Sequence, residues 1–169
     1  MKENPIIFLD IDGVLCINFT KGTEHRNTDK YGDQFDPECV NQLKRIIDAT
    51  GANIVISSTW RRAGLQVMKD MWKDRSLPGN VIDITPFNVL PDSWPSWSSL
   101  DHTYMESRGA EIKRWMEING YPDHYVIIDD DVNLFEWQKN NSVITESGTG
   151  LTSELADIAI EILNKIKGE

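Results

Sequence analysis

The sequence predicts an α/β protein built on a mostly parallel central sheet flanked by helices. Three observations carry that expectation. Short apolar runs of strand length recur at 6–9, 54–56, 81–84 and 125–128. Segments with helical spacing of apolar residues lie between them. The three clearest runs each end at a polar residue, Asp10, Ser57 and Asp129. A continuous apolar run marks a strand buried on both faces, as when helices cover both sides of a parallel sheet. Alternating strands and helices lead to that layered architecture. A chain of 169 residues suits one domain over 1–169, with a core large enough to need no staples.

The elements follow in order. The run 6–9 is the first strand and stops at Asp10. Residues 16–35 are polar and rich in Gly, Thr, Asn and Asp, which reads as a loop or flap. Asp36-Pro37-Glu38 opens a helix, with Asp as N-cap, Pro at the first helical position and an acid in the first turn. Val40, Leu43, Ile46 and Ile47 keep helical spacing until Gly51 closes the helix. The second strand, 54–56, ends at Ser57, and a helix with Leu65, Met68, Met71 and Trp72 on one face follows.

A third strand is expected over 81–84. Residues 85–106, with Pro86, Pro91 and Pro95, form a long irregular loop placed near the site. A helix over 110–119 turns Ile112, Trp115 and Met116 inward and stops at Gly120 and Pro122. The strand 125–128 runs into Asp129-Asp130-Asp131, with a helix expected over 132–137. A short strand at 142–145 comes before a final helix capped by Thr152. That helix carries a stripe of Leu155, Ile158, Ala159, Ile162, Leu163 and Ile166.

Composition narrows the function. Lys plus Arg number 17 and Asp plus Glu 27, so the net charge is 17 − 27 = −10. That balance disfavours a protein that coats nucleic acid, which should be basic. Cys16 and Cys39 stand alone, without zinc-type spacing, and read as two reduced thiols in a cytoplasmic protein. The apolar run after the N-terminus is too short for a signal core, and nothing approaches the ~20 apolar residues of a membrane span. No obligate protein partner is implied.

In a parallel sheet, ligands bind beyond the carboxyl ends of the strands. Asp10, Ser57 and Asp129 therefore converge on one edge. Asp10-Ile11-Asp12-Gly13 offers one carboxylate held at a strand end and a second just past it, where Gly13 lets the chain turn. One can attack while the other moves protons. The bland alternative is a strand ended by an Asx turn. Asp129-Asp130-Asp131 would repel one another unless a cation sits among them. Hard carboxylate oxygens suit Mg²⁺; the bland alternative is a solvated acidic turn. Ser57-Ser58-Thr59 supplies hydroxyls and N–H groups for a phosphate oxygen, or simply caps the next helix. Of Arg61 and Arg62, one is placed to reach a phosphate. A fixed cation is also needed beside the nucleophile, and Arg108 or Lys113 can provide it. Arg108 is favoured because the helix start lies nearer the carboxyl edge.

These residues, in this order, resemble the haloacid dehalogenase (HAD) superfamily: Asp10-x-Asp12-Gly13-Val14, a strand ending in Ser57, a basic residue near a helix start, and Asp129-Asp130. The resemblance implies a Rossmann-like domain with Asp10 as phosphoryl acceptor and Asp12 as proton donor and then base. Ser57 would bind the phosphoryl oxygens, and Arg108 or Lys113 would steady them. Mg²⁺ would lie on Asp10, the backbone carbonyl of Asp12, and Asp129 or Asp130. Ser58 and Arg61 join Lys113 as candidate substrate contacts. An aspartate at position 12 points to phosphate-ester hydrolysis rather than dehalogenation or ion pumping.

A narrower likeness exists to the HAD domain of multi-domain RNA-repair proteins. It rests on Ser57-Ser58-Thr59-Trp60-Arg61, Arg108-Gly109-Ala110-Glu111-Ile112-Lys113-Arg114-Trp115, the 125–131 segment and Gly150-Leu151-Thr152. The short interval after the first motif implies a capless or minimally capped enzyme with an open site. The implied substrate is a phosphorylated small molecule, such as a nucleotide, or a nucleic-acid end.

Trp94 and Trp97 offer rings for base stacking or, more plainly, cover the sheet edge. Lys21, His25, Arg26 and Lys30 dot the flap and would meet a phosphate backbone or solvent. Two rival classes are an inactive phosphate-binding or regulatory HAD-like module and a receiver-type signalling domain. The receiver places its acidic pair and its phospho-acceptor on different strands from those seen here.

Overall fold

A computed structural model describes residues 4–17, 27–87 and 107–165. The first strand, β1 (Ile6–Leu9), is apolar at every position and buried at every position. The chain then forms a small antiparallel hairpin, β2 (Thr28–Asp29) and β3 (Gly32–Asp33), within the interval expected as a flap. Helix α1 (Pro37–Thr50) starts as its sequence dictates: the Asp36 carboxylate accepts from the amides of Glu38 and Cys39, and Gly51 ends it in the left-handed region. Such a cap contributes roughly 1 kcal/mol. Strand β4 (Asn53–Ile56), a 3₁₀ turn (Thr59–Ala63) and α2 (Leu65–Asp74) follow. Then come β5 (Asn80–Ile84), α3 (Arg108–Asn119), β6 (Tyr125–Asp129), α4 (Glu136–Lys139), β7 (Ser142–Ile144) and α5 (Ser153–Asn164).

Five strands form one parallel sheet in the order β5-β4-β1-β6-β7. The chain builds outward from β1 to β4 and β5, then crosses back to β6 on the other side. The strand order therefore reverses between β1 and β6, where such sheets open a crevice. The strands in register there end in Asp10 and Asp129.

Side chains alternate between two cores. Ile7, Leu9, Ile54, Ile56, Val126 and Ile128 join α1, α2 and α5 on one face. Phe8, Val55 and Ile127 join Ile112, Trp115 and Met116 of α3 on the other. Phe8 meets Trp115 edge-on at 5.3 Å and Tyr125 at 6.0 Å. Burying one such ring contributes roughly 1.5–3 kcal/mol. No helix among the described residues is long and apolar enough to cross a membrane.

Three expectations change. The 3₁₀ turn precedes α2, because Ser58 caps a tight turn before Gly64 redirects the chain. The helix expected over 132–137 is the shorter α4. Asp131 accepts from the Asn133 amide in an Asx turn, and Gly109 donates to the Asn133 carbonyl, so this loop is tied down extended. In α5, Ile158 is 45% exposed, and Ala156 lies in the core with Ala159, Ile162 and Leu163. The short Ala156 side chain lets the helix approach the sheet.

Candidate active site

Asp10 and Ser57 lie just beyond the ends of β1 and β4, beside Asp129, the last residue of β6. The ladder continues past the strands: Asp10 donates its amide to the Ile128 carbonyl, and Ser57 donates to Leu9. Asp10 and Asp129 are nearly or fully buried. Carboxylate oxygens of Asp10, Asp129 and Asp130 lie within 4.8 Å of one another.

Gly13 makes this closeness possible. The turn after Asp12 closes through the amides of Leu15 and Cys16, which both donate to the Ile11 carbonyl. Gly13 sits in it at φ +74°, and a Cβ there would fall 2.2 Å from Asp130 Oδ2. The Thr145 hydroxyl donates to the Gly13 carbonyl at 2.8 Å, locking the two loops together. Ser147 holds Asp130 from the far side at 2.5 Å.

Arg108, at the start of α3, is the cation of the cluster. Its Nε meets Asp129 Oδ2 at 2.6 Å, its Nη2 lies 3.5 Å from Asp10 and its Nη1 lies 3.2 Å from Glu111. Ser107 caps the helix through the Ala110 amide, fixing where Arg108 begins. Glu111 in turn meets Arg61 at 2.7 Å. Three carboxylates, those of Asp10, Asp129 and Glu111, thus pair with two guanidinium groups. Burial pushes Asp129 up to about 7. Arg108 opposes that rise, and the Asp10 charge adds to it. Asp10 is also raised, by burial first, against the pull of Arg108, the Ile11 amide and the Ser58 hydroxyl. Burial disfavours the charged form of Arg108, yet Asp129, Asp10 and Glu111 together raise its pKa.

An all-oxygen, acid-rich donor set of this kind fits a hard divalent cation. Asp10, Asp129 and Asp130 are the side chains that would hold it, and a second positive charge there would let them ionise together.

A family model described as the HAD domain in Swiss Army Knife RNA repair proteins matches residues 6–156. The chain belongs to that family. Neither a curated protein nor a solved structure matches it. The matched span of this HAD domain begins with β1 and ends inside α5, so it includes the whole sheet and its acidic edge. Membership agrees with phosphatase-type hydrolase chemistry.

Within the HAD domain the expected residues separate. Arg108, rather than Lys113, touches the acids; Lys113 pairs with Glu117 at 3.0 Å farther along α3. Asp129 and Asp130 both join the cluster, whereas Asp131 is used in its Asx turn. Asp12 stands apart from the cluster and accepts from the Trp60 indole at 3.0 Å.

The nearby Ser58 hydroxyl is among the groups that hold the Asp10 pKa down. Ser57 Oγ is buried, with no hydrogen-bond partner among the described residues. Arg61 is the clear correction. It is 1% exposed, and its guanidinium donates to the carbonyls of Ser57, Ser58, Thr85 and Pro86 while pairing with Glu111. The Phe87 ring covers it at 3.8 Å. It ties the ends of β4 and β5 together rather than reaching outward to a phosphate. Lys30 of the hairpin is engaged with Asp74 at 2.8 Å. Lys21, His25, Arg26, Trp94 and Trp97 lie outside the described residues.

Sequence reasoning overlooked Trp60 and Glu111. Both lie in the segments Ser57–Arg61 and Arg108–Trp115 that carry the family likeness. A tryptophan between Thr59 and Arg61, and an acid one turn after Arg108, were the available signals.

Proposed function

We propose that this HAD domain is a Mg²⁺-dependent phosphomonoester hydrolase acting through an aspartyl-phosphate on Asp10. The observation that carries the reading is the convergence of Asp10 with Asp129, Asp130 and Arg108 at the β1–β6 switch, with Asp12 held separately. A nucleophile and a proton carrier need different surroundings, and these two aspartates have them. Asp10 is rigid, buried and paired with a guanidinium. Asp12 is half-buried, outside the acidic cluster and bonded by a neutral indole.

The chemistry assigned to the residues is as follows. Asp10 attacks phosphorus, forming the carboxyl O–P bond as the ester P–O bond breaks, and Asp12 gives its proton to the departing alkoxide. Water then attacks the phosphorus of the acyl phosphate. Asp12 takes a proton from that water, and inorganic phosphate leaves with Asp10 restored. Arg108 steadies the carboxylate and offsets charge on the phosphoryl oxygens. The Ser57 hydroxyl, which has no partner among the described residues, and the Ser58 hydroxyl are the donors assigned to those oxygens. Asp10, the Asp12 carbonyl, Asp129 and Asp130 would hold the cation, which would supply charge neutralisation.

The substrate class we assign is nucleotides or phosphorylated polynucleotide ends. Two things support it: the family's description as a domain of RNA repair proteins, and the small β2–β3 hairpin, the one element found among the described residues of the first interval. Cys16 and Cys39 are buried thiols in no disulfide among the described residues, which fits a cytoplasmic setting.

The test is a phosphatase assay with Mg²⁺ on an aryl phosphate, mononucleotides, sugar phosphates and oligonucleotides phosphorylated at either end. Turnover that is lost by a factor on the order of 10³ or more in Asp10→Asn, with the fold retained, supports the reading. Activity within a few fold of wild type in that variant removes Asp10 from its role. Phosphate binding without turnover in the wild type replaces the enzyme by a binding module.

A further inference from the structure

The Trp60 side chain is held on several sides. Ser58, the cap of the 3₁₀ turn, accepts from the Trp60 amide at 3.4 Å, fixing its backbone. Phe35 meets the indole edge-on with centroids 5.6 Å apart. At Gly32 of the hairpin an added Cβ would lie 3.4 Å from Trp60 Cη2, so β3 lies directly against the ring. Arg75 sits 5.8 Å from the indole centroid, and it clamps the hairpin through two bonds to Asp29, at 2.9 and 2.7 Å, and one to the Gly32 carbonyl at 3.2 Å. The polar output of this packed assembly is a single N–H, and it points at Asp12 Oδ1.

We infer that Trp60 is a positioning residue for Asp12, and that the β2–β3 hairpin, through Phe35, Gly32 and Arg75, holds the indole that aims this carboxylate. An aspartate side chain has two torsions and no packing of its own. Asp12 also lies near the negative charges of Asp130 and Asp33. One well-placed donor selects a single orientation for its carboxylate. An indole is suited to the task because it donates and never accepts. It cannot take the proton that Asp12 must deliver, and engaging Oδ1 leaves Oδ2 as the oxygen that carries it. The second carboxylate of the site is thus aimed from the hairpin, while the first is aimed from the sheet and α3.

This inference rests on the proton-transfer role proposed for Asp12, and the test separates the two. kcat and KM are measured with Mg²⁺ for a phenyl phosphate bearing a good leaving group and for an alkyl phosphate or nucleotide bearing a poor one. The proteins compared are the wild type, Trp60→Phe, Asp12→Asn and the double variant. General acid assistance matters most for the poor leaving group.

The expected result is a kcat loss in Trp60→Phe of about tenfold or more on the poor leaving group and no more than about threefold on the good one, with KM nearly unchanged. In the Asp12→Asn background the Trp60 substitution should add nothing, since neighbours acting through one group are not additive. The ratio of the two rates is unaffected by any unfolded fraction, so a less stable variant still reports. An equal loss on both substrates, a change confined to KM, or a full Trp60 effect on top of Asp12→Asn overturns the inference. If Asp12→Asn itself shows no dependence on leaving group, the proton-transfer role falls, and the role of Trp60 falls with it.

Discussion

Gly13 lies so close beneath Asp130 that a single methyl group at position 13 would overlap the carboxylate, at 2.2 Å from Oδ2. The contact joins two loops that are far apart in sequence. It places the turn after β1 and the turn after β6 within reach of one ion.

Gly13→Ala should therefore damage the site more than the fold. The left-handed backbone at φ +74° costs a non-glycine residue roughly 1–2 kcal/mol, and Asp130 must also move aside. The expected outcome is a folded protein with modestly lower Tm and strongly weakened Mg²⁺ binding, read by calorimetric titration. Unchanged Mg²⁺ affinity would show that Asp130 is not a ligand.

Arg108→Met leaves Asp129 buried beside Asp10 without its guanidinium. Removing one partner of a buried ion pair costs about 3–5 kcal/mol. Asp129 holds its proton up to about 7 even with Arg108 present, and without Arg108 it would hold it further. The loss should be largest above neutral pH and smaller near pH 5, where a protonated Asp129 needs no cation. Urea unfolding at the two pH values checks this; equal losses would contradict it.

Arg61 tests a different idea. Its four carbonyl contacts and the Glu111 pair make it a structural tie between β4, β5 and α3. Arg61→Met should cost about 3–5 kcal/mol, with KM for any variant that still folds changing little. A large rise in KM with stability intact would instead place Arg61 on the substrate.

The pH dependence of the metal-free protein follows from Asp129. An unfolded aspartate releases its proton near pH 4, whereas the folded protein keeps it up to about 7. Between those values the folded state binds more protons than the unfolded one, so stability falls as pH rises. Asp29, lowered to about 2 by Arg75, acts below this window. In chelator, Tm should drop by several degrees from about pH 5 to about pH 8. Mg²⁺ competes with the retained proton, so its stabilising increment should be larger at the higher pH. A flat Tm profile, or a larger Mg²⁺ increment at pH 5, would rule out a buried, proton-holding carboxylate in the metal cluster.

Much of this was legible along the chain. Strands buried on both faces announce themselves as unbroken apolar runs, because burial leaves no position for a polar side chain. Their ends are visible for the same reason, and so Asp10, Ser57 and Asp129 could be assigned to one edge from local pattern and topology alone. The α1 caps at Asp36 and Gly51 were equally plain, since they depend on neighbours a few residues away.

What remained hidden was the direction in which long side chains point. Arg61, Arg108 and Lys113 are three cations near helix starts or strand ends; position along the helix favoured Arg108 over Lys113, but nothing local showed that Arg61 turns inward. Tertiary packing sent Arg61 inward to the carbonyls at the ends of β4 and β5, placed Arg108 on the acids, and left Lys113 paired along α3. The Trp60–Asp12 bond joins residues 48 apart in sequence, and the Gly13–Asp130 contact joins two separate turns. The sequence by itself determined which residues sit at the carboxyl edge, because hydrophobic burial is read from periodicity. The tertiary structure alone decided which charges and hydrogen bonds meet there, because those depend on distances set by the packing of the whole sheet and its helices.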